Sequence, residues 1–157
     1  MASRFSLPIA RNNAILFVDM TYHFDNALRR ALLENIDGFK DRRGLEDGLR
    51  HAAVSIVVVG DGDEAAFLLT KRSPRLNAHS GQFALPGGRV DEGETALEAA
   101  LREMREEINV SLTSDHLVGT LDDYPTRSGY RITPFVFWAG KDIKPEANPG
   151  EVAIIYL

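Results

Sequence analysis

A chain of 157 residues, 44% hydrophobic and 26% charged, can bury one sizeable core and is too short for a second full domain. Its net charge of -5 and pI near 5.4 give no global basic footprint, so no nucleic-acid partner is expected. The absence of cysteine excludes disulfides, thiolate metal sites and cysteine nucleophiles.

In chain order, the first apolar run, residues 14–18, stops at Asp19 and is far too short to span a bilayer, so no membrane association is expected. Arg4 and Arg11 without an acid before Asp19 faintly resemble a transit peptide, but a cytoplasmic protein is the expectation. "TYHFDNALRRALLENI", residues 21–36, brings Phe24, Leu28, Leu32 and Leu33 near helical spacing and predicts a peripheral helix. Residues 37–50 read as a charged connection. Residues 1–50 are therefore expected to pack on a main domain spanning 51–157.

"AAVSIVVV" (52–59) and "AAFLLTK" (65–71), separated by the turn "GDGD", predict a hairpin of buried strands. "HLVGTLDDY" (116–124) and "YRITPFVFWAG" (130–140), separated by "PTRSG", predict another strand pair. Tyr130, Phe135 and Trp138 are read as sheet core rather than as an adenine platform. "EVAIIYL" (151–157) reads as a strand that meets the chain end uncovered, which would allow the natural protein to continue past Leu157. Strands on both sides of one strong helix suggest an α/β or α+β sandwich.

That helix lies in "GGRVDEGETALEAALREMREEINV", residues 87–110. Leu97, Ala100, Leu101, Met104 and Ile108 form an apolar stripe. On its flank Glu103, Glu106 and Glu107 converge near the C-terminal end. Glu103 and Glu107 are a like-charge i, i+4 pair, unfavourable by roughly 0.2–0.5 kcal/mol. Carboxylates in a last turn also oppose the helix dipole, by about 0.3–1 kcal/mol each. A hard cation such as Mg²⁺ would convert this cost into a site, because it takes carboxylate oxygens and shares its shell with waters and phosphates. Upstream, Pro86, Gly87, Gly88 and Gly93 make a loop whose backbone can approach a ligand closely.

Gly88, Glu94, Arg102, Glu103, Met104, Glu106, Glu107 and Val110 occupy in register the signature of the Nudix hydrolases, which the chain resembles; Asn109 stands where the family has glycine. Asn is the usual second choice for a left-handed residue just past a helix. "LLTKRSPRLNAHSGQFALPGG" (68–88) further resembles the coenzyme A diphosphatase branch, with Asn77 and Leu85 departing from its pattern. "SGYRITPFV" and "NPGEV" resemble that branch too.

The resemblance implies a Nudix-like α/β/α sandwich with a mixed central sheet, and metal-dependent cleavage of a diphosphate with Mg²⁺ or Mn²⁺. The expected substrate is coenzyme A or a derivative, giving 3',5'-ADP and 4'-phosphopantetheine or its acyl form. Carried over residue by residue, Glu103 and Glu107 are the main metal ligands, with the Gly87 carbonyl, and Glu106 is a further ligand or the general base. Arg102 orients the glutamates and Glu94 holds the loop. Arg72, Arg75, His79 and Gly88 are expected to meet substrate, the arginines through their bidentate forks. Hydrolysis of ADP-ribose or another nucleoside diphosphate derivative, and a non-catalytic ligand-binding module, are the alternatives. A homodimer is left open.

Overall fold

The computed structural model describes residues 9–11, 14–16, 21–38, 48–74 and 81–157. A short antiparallel pair, β1 (Ile9–Arg11) and β2 (Ala14–Leu16), precedes α1 (Asn26–Gly38). The helix expected from residue 21 starts later because the Asp25 carboxylate accepts from the Leu28 N–H at 2.8 Å and caps it. Residues 21–24 stay extended. The Phe24 N–H donates to the Asp63 carbonyl at 2.9 Å, and the Ala65 N–H donates to the Tyr22 carbonyl at 2.7 Å.

β3 (Arg50–Asp61) is the organising strand. Its alternation sends Ala53, Val57 and Val59 to one core and Ile56 and Val58 to another. β4 (Glu64–Phe67) completes the expected hairpin with β3, antiparallel. The run 65–71 is not one strand, however. It breaks at Leu68, which is fully buried, and β5 (Leu69–Arg72) joins a different sheet. That three-stranded sheet runs β11 (Val152–Tyr156), β5, β6 (Phe83–Ala84), so the last predicted strand pairs antiparallel with β5.

The six-stranded sheet also contains β7 (Gly87–Arg89), β8 (Leu117–Thr120), β9 (Tyr124–Pro125) and β10 (Tyr130–Gly140). β10 lies parallel to β3 and antiparallel to β8 and β9, which makes the sheet mixed. α2 (Ala96–Ile108) covers the Ala53–Val57 face; α1 covers the other through Ile36 and Leu32, beside a stacked Phe24–Trp138 pair with ring centroids 4.1 Å apart. The layers are thus α/β/α. No helix among the described residues is long and apolar enough to cross a membrane.

α2 starts on a capping box: the Glu98 N–H donates to Thr95 Oγ1 at 3.2 Å and the Thr95 N–H to Glu98 Oε2 at 2.8 Å. It ends at Asn109 in the left-handed region, φ 54°, where the Asn109 N–H reaches the Arg105 carbonyl. Ala99, Ala100, Met104 and Ile108 are fully buried, whereas Leu97 and Leu101 of the predicted stripe are only partly so. The deep face is set by α2 meeting both sheets, since Leu68 and Val152 share its core. Small alanines and, unexpectedly, Glu107 occupy that face.

Candidate active site

The loop before α2 is built on close backbone approach. Gly88 pairs with Ala53 across β3, and a Cβ at Gly88 would collide with the Glu103 carboxylate. One at Gly87 would collide with the Ala53 carbonyl. Glycine at both positions therefore lets the strand lie flat on β3 and lets Glu103 lie on the strand.

Arg102 ties loop to helix. Its Nε and Nη2 donate to the two oxygens of Glu94 at 2.9 and 3.0 Å, a bidentate pair. Nη1 reaches Glu103 at 2.8 Å and Glu106 at 3.1 Å, and Nη2 also donates to the Arg89 carbonyl at 3.0 Å. Glu94 in turn accepts from the Asp91 N–H at 3.0 Å. It precedes the Thr95 cap, so it belongs to the loop. The Arg102 hydrogen bond holds the Glu94 carboxyl below its ordinary range.

Glu103, Glu107 and Glu151 bring carboxylate oxygens within 4.8 Å of one another. Glu151 arrives because residues 146–151 dock on the C-terminal end of α2. The Glu146 and Asn148 N–H groups donate to the Ile108 and Glu107 carbonyls, both at 2.9 Å, satisfying acceptors that a helix end leaves open. The Ser73 N–H then donates to the Glu151 carbonyl at 2.8 Å. Glu106, 47% exposed at its side chain, faces Arg102 and stands outside the triad.

Glu107 is only 3% exposed. Burial pushes its carboxyl up to about 7, opposed by the Gly87 N–H at 3.1 Å and reinforced by the Glu103 charge. Burial likewise raises Glu103, against the pull of Arg102. Arg72 brings Nη1 to 3.7 Å from Glu107, and its Nε is buried without a hydrogen-bond partner among the described residues. Three converging hard oxygen donors, two desolvated and mutually repelling, fit a hard divalent cation.

The structure therefore gathers Gly87, Gly88, Glu94, Arg102, Glu103, Glu106, Glu107 and Arg72 around one locus. Arg75 and His79 lie outside the described residues. Glu151 was not singled out from sequence; the "NPGEV" segment that contains it was the available signal. Phe135 is buried in the core and Trp138 stacks on Phe24, while Tyr130 instead contacts two arginines, Arg50 and Arg89. A groove of about 560 Å³ along Glu94, Glu98, Arg102 and Arg105 excludes Glu103 and Glu107, so the carboxylate triad and not that groove marks the site.

A mixed sheet between helices, with a glycine loop feeding a carboxylate-bearing helix, defines a small α/β/α domain with a carboxylate cluster at one helix end. The chain belongs to the NUDIX domain family, which it matches over residues 49–155. It is 39% identical over 107 residues to a Yersinia enterocolitica protein described as an uncharacterized Nudix hydrolase, NudL; the match covers 68% of this chain and 54% of that one. The chain thus spans about half the length of that relative. A Nudix hydrolase from M. smegmatis, RenU, superposes with TM-score 0.52 and 26% identity over 68% of each chain. The MutT protein of Methanosarcina mazei Go1 shares the fold, with TM-score 0.54 and 21% identity over 71% of this chain and 78% of that one.

Proposed function

We propose that the chain hydrolyses the diphosphate bond of coenzyme A or a close derivative, releasing 3',5'-ADP and 4'-phosphopantetheine or its acyl form. The observation that carries the chemistry is the convergence of Glu103, Glu107 and Glu151 against the Gly87–Gly88 strand. Glu103, Glu107 and Glu151 would hold Mg²⁺ or Mn²⁺, with the Gly87 carbonyl as a further donor. A bound cation would supply charge neutralisation on the diphosphate and a more acidic water.

The chain's own groups do the rest. Arg102 fixes the carboxylates' direction, an outer-shell role for which its forked bond to Glu94 is suited. Glu106 keeps one oxygen free of Arg102 and is the group we assign to accept the proton of the attacking water, as the bond to the bridging oxygen breaks. Arg72, whose strand pairs with the residue after Glu151, would meet a diphosphate oxygen, where its fork suits phosphate geometry. The coenzyme A assignment is supported by the resemblance of residues 68–88 and of "NPGEV" to that branch.

Incubating the protein separately with coenzyme A, ADP-ribose and NADH, with Mg²⁺ or Mn²⁺ and with chelator, and analysing products by mass spectrometry tests this. Metal-dependent 3',5'-ADP from coenzyme A is the expected result. Cleavage of ADP-ribose or NADH in its place would overturn the substrate and keep the chemistry, and no cleavage of any of the three would count against the hydrolase reading.

A further inference from the structure

We propose that Arg50, Arg89 and Tyr130 form a binding subsite for a phosphomonoester at the edge of β7, on the sheet face opposite α2. Nothing in the hydrolytic site uses these side chains, and the subsite does not depend on the hydrolase reading.

Register creates the cluster. Arg50 pairs with Tyr130, and Arg89 with Ala52, so all three side chains leave the same sheet face. The Tyr130 ring stacks under the Arg50 guanidinium at 4.1 Å from its centroid, and Arg89 lies 5.7 Å from the same centroid. Arg89 Nε donates to the Tyr130 hydroxyl at 2.8 Å, which leaves the phenolic O–H free to donate onward. Arg50 Nη2 donates to the Ser128 carbonyl at 3.1 Å, anchoring that guanidinium to the 126–129 turn.

Charge is the second observation. In a chain of net charge -5, most arginines with described contacts find carboxylates, as Arg72, Arg102 and Arg131 do. Arg50 and Arg89 do not: among the described residues neither forms an ion pair, and their side chains meet the Tyr130 ring and hydroxyl and one carbonyl. Two like charges held against one ring repel each other, and the arrangement gains when a dianion bridges them. Two planar forks plus one hydroxyl donor match the three terminal oxygens of a phosphomonoester better than a carboxylate. The position is also adjacent to the chemistry, since the Arg89 carbonyl accepts from Arg102 and the next residue back, Gly88, packs on Glu103. The phosphate could belong to an outlying part of the substrate or to a separate phosphorylated ligand.

Calorimetric titration of the full chain in chelator, with adenosine 3',5'-bisphosphate and with inorganic phosphate, tests the subsite without metal or turnover. The expected result is binding by the wild type, weakened at least fivefold by Arg50→Gln and by Arg89→Gln, with Lys141→Ala unaffected. Circular dichroism confirms that each variant is folded, and Arg50→Lys and Arg89→Lys, which keep the charge but lose the fork, should fall between. No binding by the wild type, or equal binding by both Gln variants, would overturn the proposal. A second arm compares kcat/KM for coenzyme A and for its 3'-dephospho form. A preference that collapses in the Gln variants assigns the phosphate to the substrate, and an unchanged preference with weakened titration assigns it to a separate ligand. Failure of every protein to cleave either compound would speak against the hydrolase reading alone, and the titration in chelator would still decide the subsite.

Discussion

Gly88 shows how narrowly single residues are constrained around the triad. An added Cβ would occupy the space of the Glu103 carboxylate, so Gly88→Ala should push that side chain off its Arg102 contact while leaving the core intact. A displacement of about 1 Å at a reacting centre can cost on the order of a hundredfold in rate. We therefore expect a loss of that order in turnover with a melting temperature close to wild type, and unaltered turnover would remove the close approach from the account. Glu107 carries the other residue-scale expectation. Its carboxyl is raised from 4.5 to about 7 by burial. Below about pH 4.5 it is protonated folded or unfolded, and between 4.5 and 7 the folded protein keeps a proton that the unfolded chain has released. Stability of the metal-free protein should thus fall as pH rises through that window. Glu107→Gln removes the buried charge, so its metal-free melting temperature should exceed wild type at about pH 8 and match it near pH 4.5. The opposite order at pH 8 would contradict the assigned cause.

At the scale of the element, α2 is specified from both ends. Thr95→Ala breaks the capping box and should cost about 1 kcal/mol. Asn109→Ala puts an ordinary side chain at φ 54° and should cost a further 1 kcal/mol or so. Both are measurable by urea unfolding, and a double variant that loses nothing would show that packing alone sets the helix. This helix was legible in the sequence because period, cap and carboxylates coincide in one continuous stretch. The break at Leu68 was not, since a buried leucine between two strands is as apolar as one inside a strand, and only the third dimension sends β4 and β5 to different sheets. The start of α1 was misplaced because Phe24 belongs to the apolar pattern but stacks on Trp138 ahead of the Asp25 cap.

For the whole molecule, the triad depends on a contact between distant segments. Glu103 and Glu107 share a helix, and their pairing could be read from spacing. Glu151 joins them only because the free carbonyls at the end of α2 capture residues 146–148 and β11 then pairs with β5. Helical and strand periodicity carry no record of that docking, so the resemblance of "NPGEV" was the one signal that pointed to the third carboxylate. Glu107 is buried at the end of the helix whose apolar face makes the core, so fold stability and the proposed cation affinity should be coupled. Ligand held only by the folded state adds stability that grows with the logarithm of its concentration once that exceeds the dissociation constant.

Mn²⁺ titration by calorimetry, at about pH 8 on the wild type and on Glu103→Gln, Glu107→Gln, Glu151→Gln and Glu106→Gln, addresses the cation site most directly. Binding by the wild type, weakened at least tenfold by each of the first three substitutions and least by Glu106→Gln, is the predicted result. Undiminished affinity in Glu151→Gln, or no binding by the wild type, would contradict a cation site built from α2 and the turn before β11.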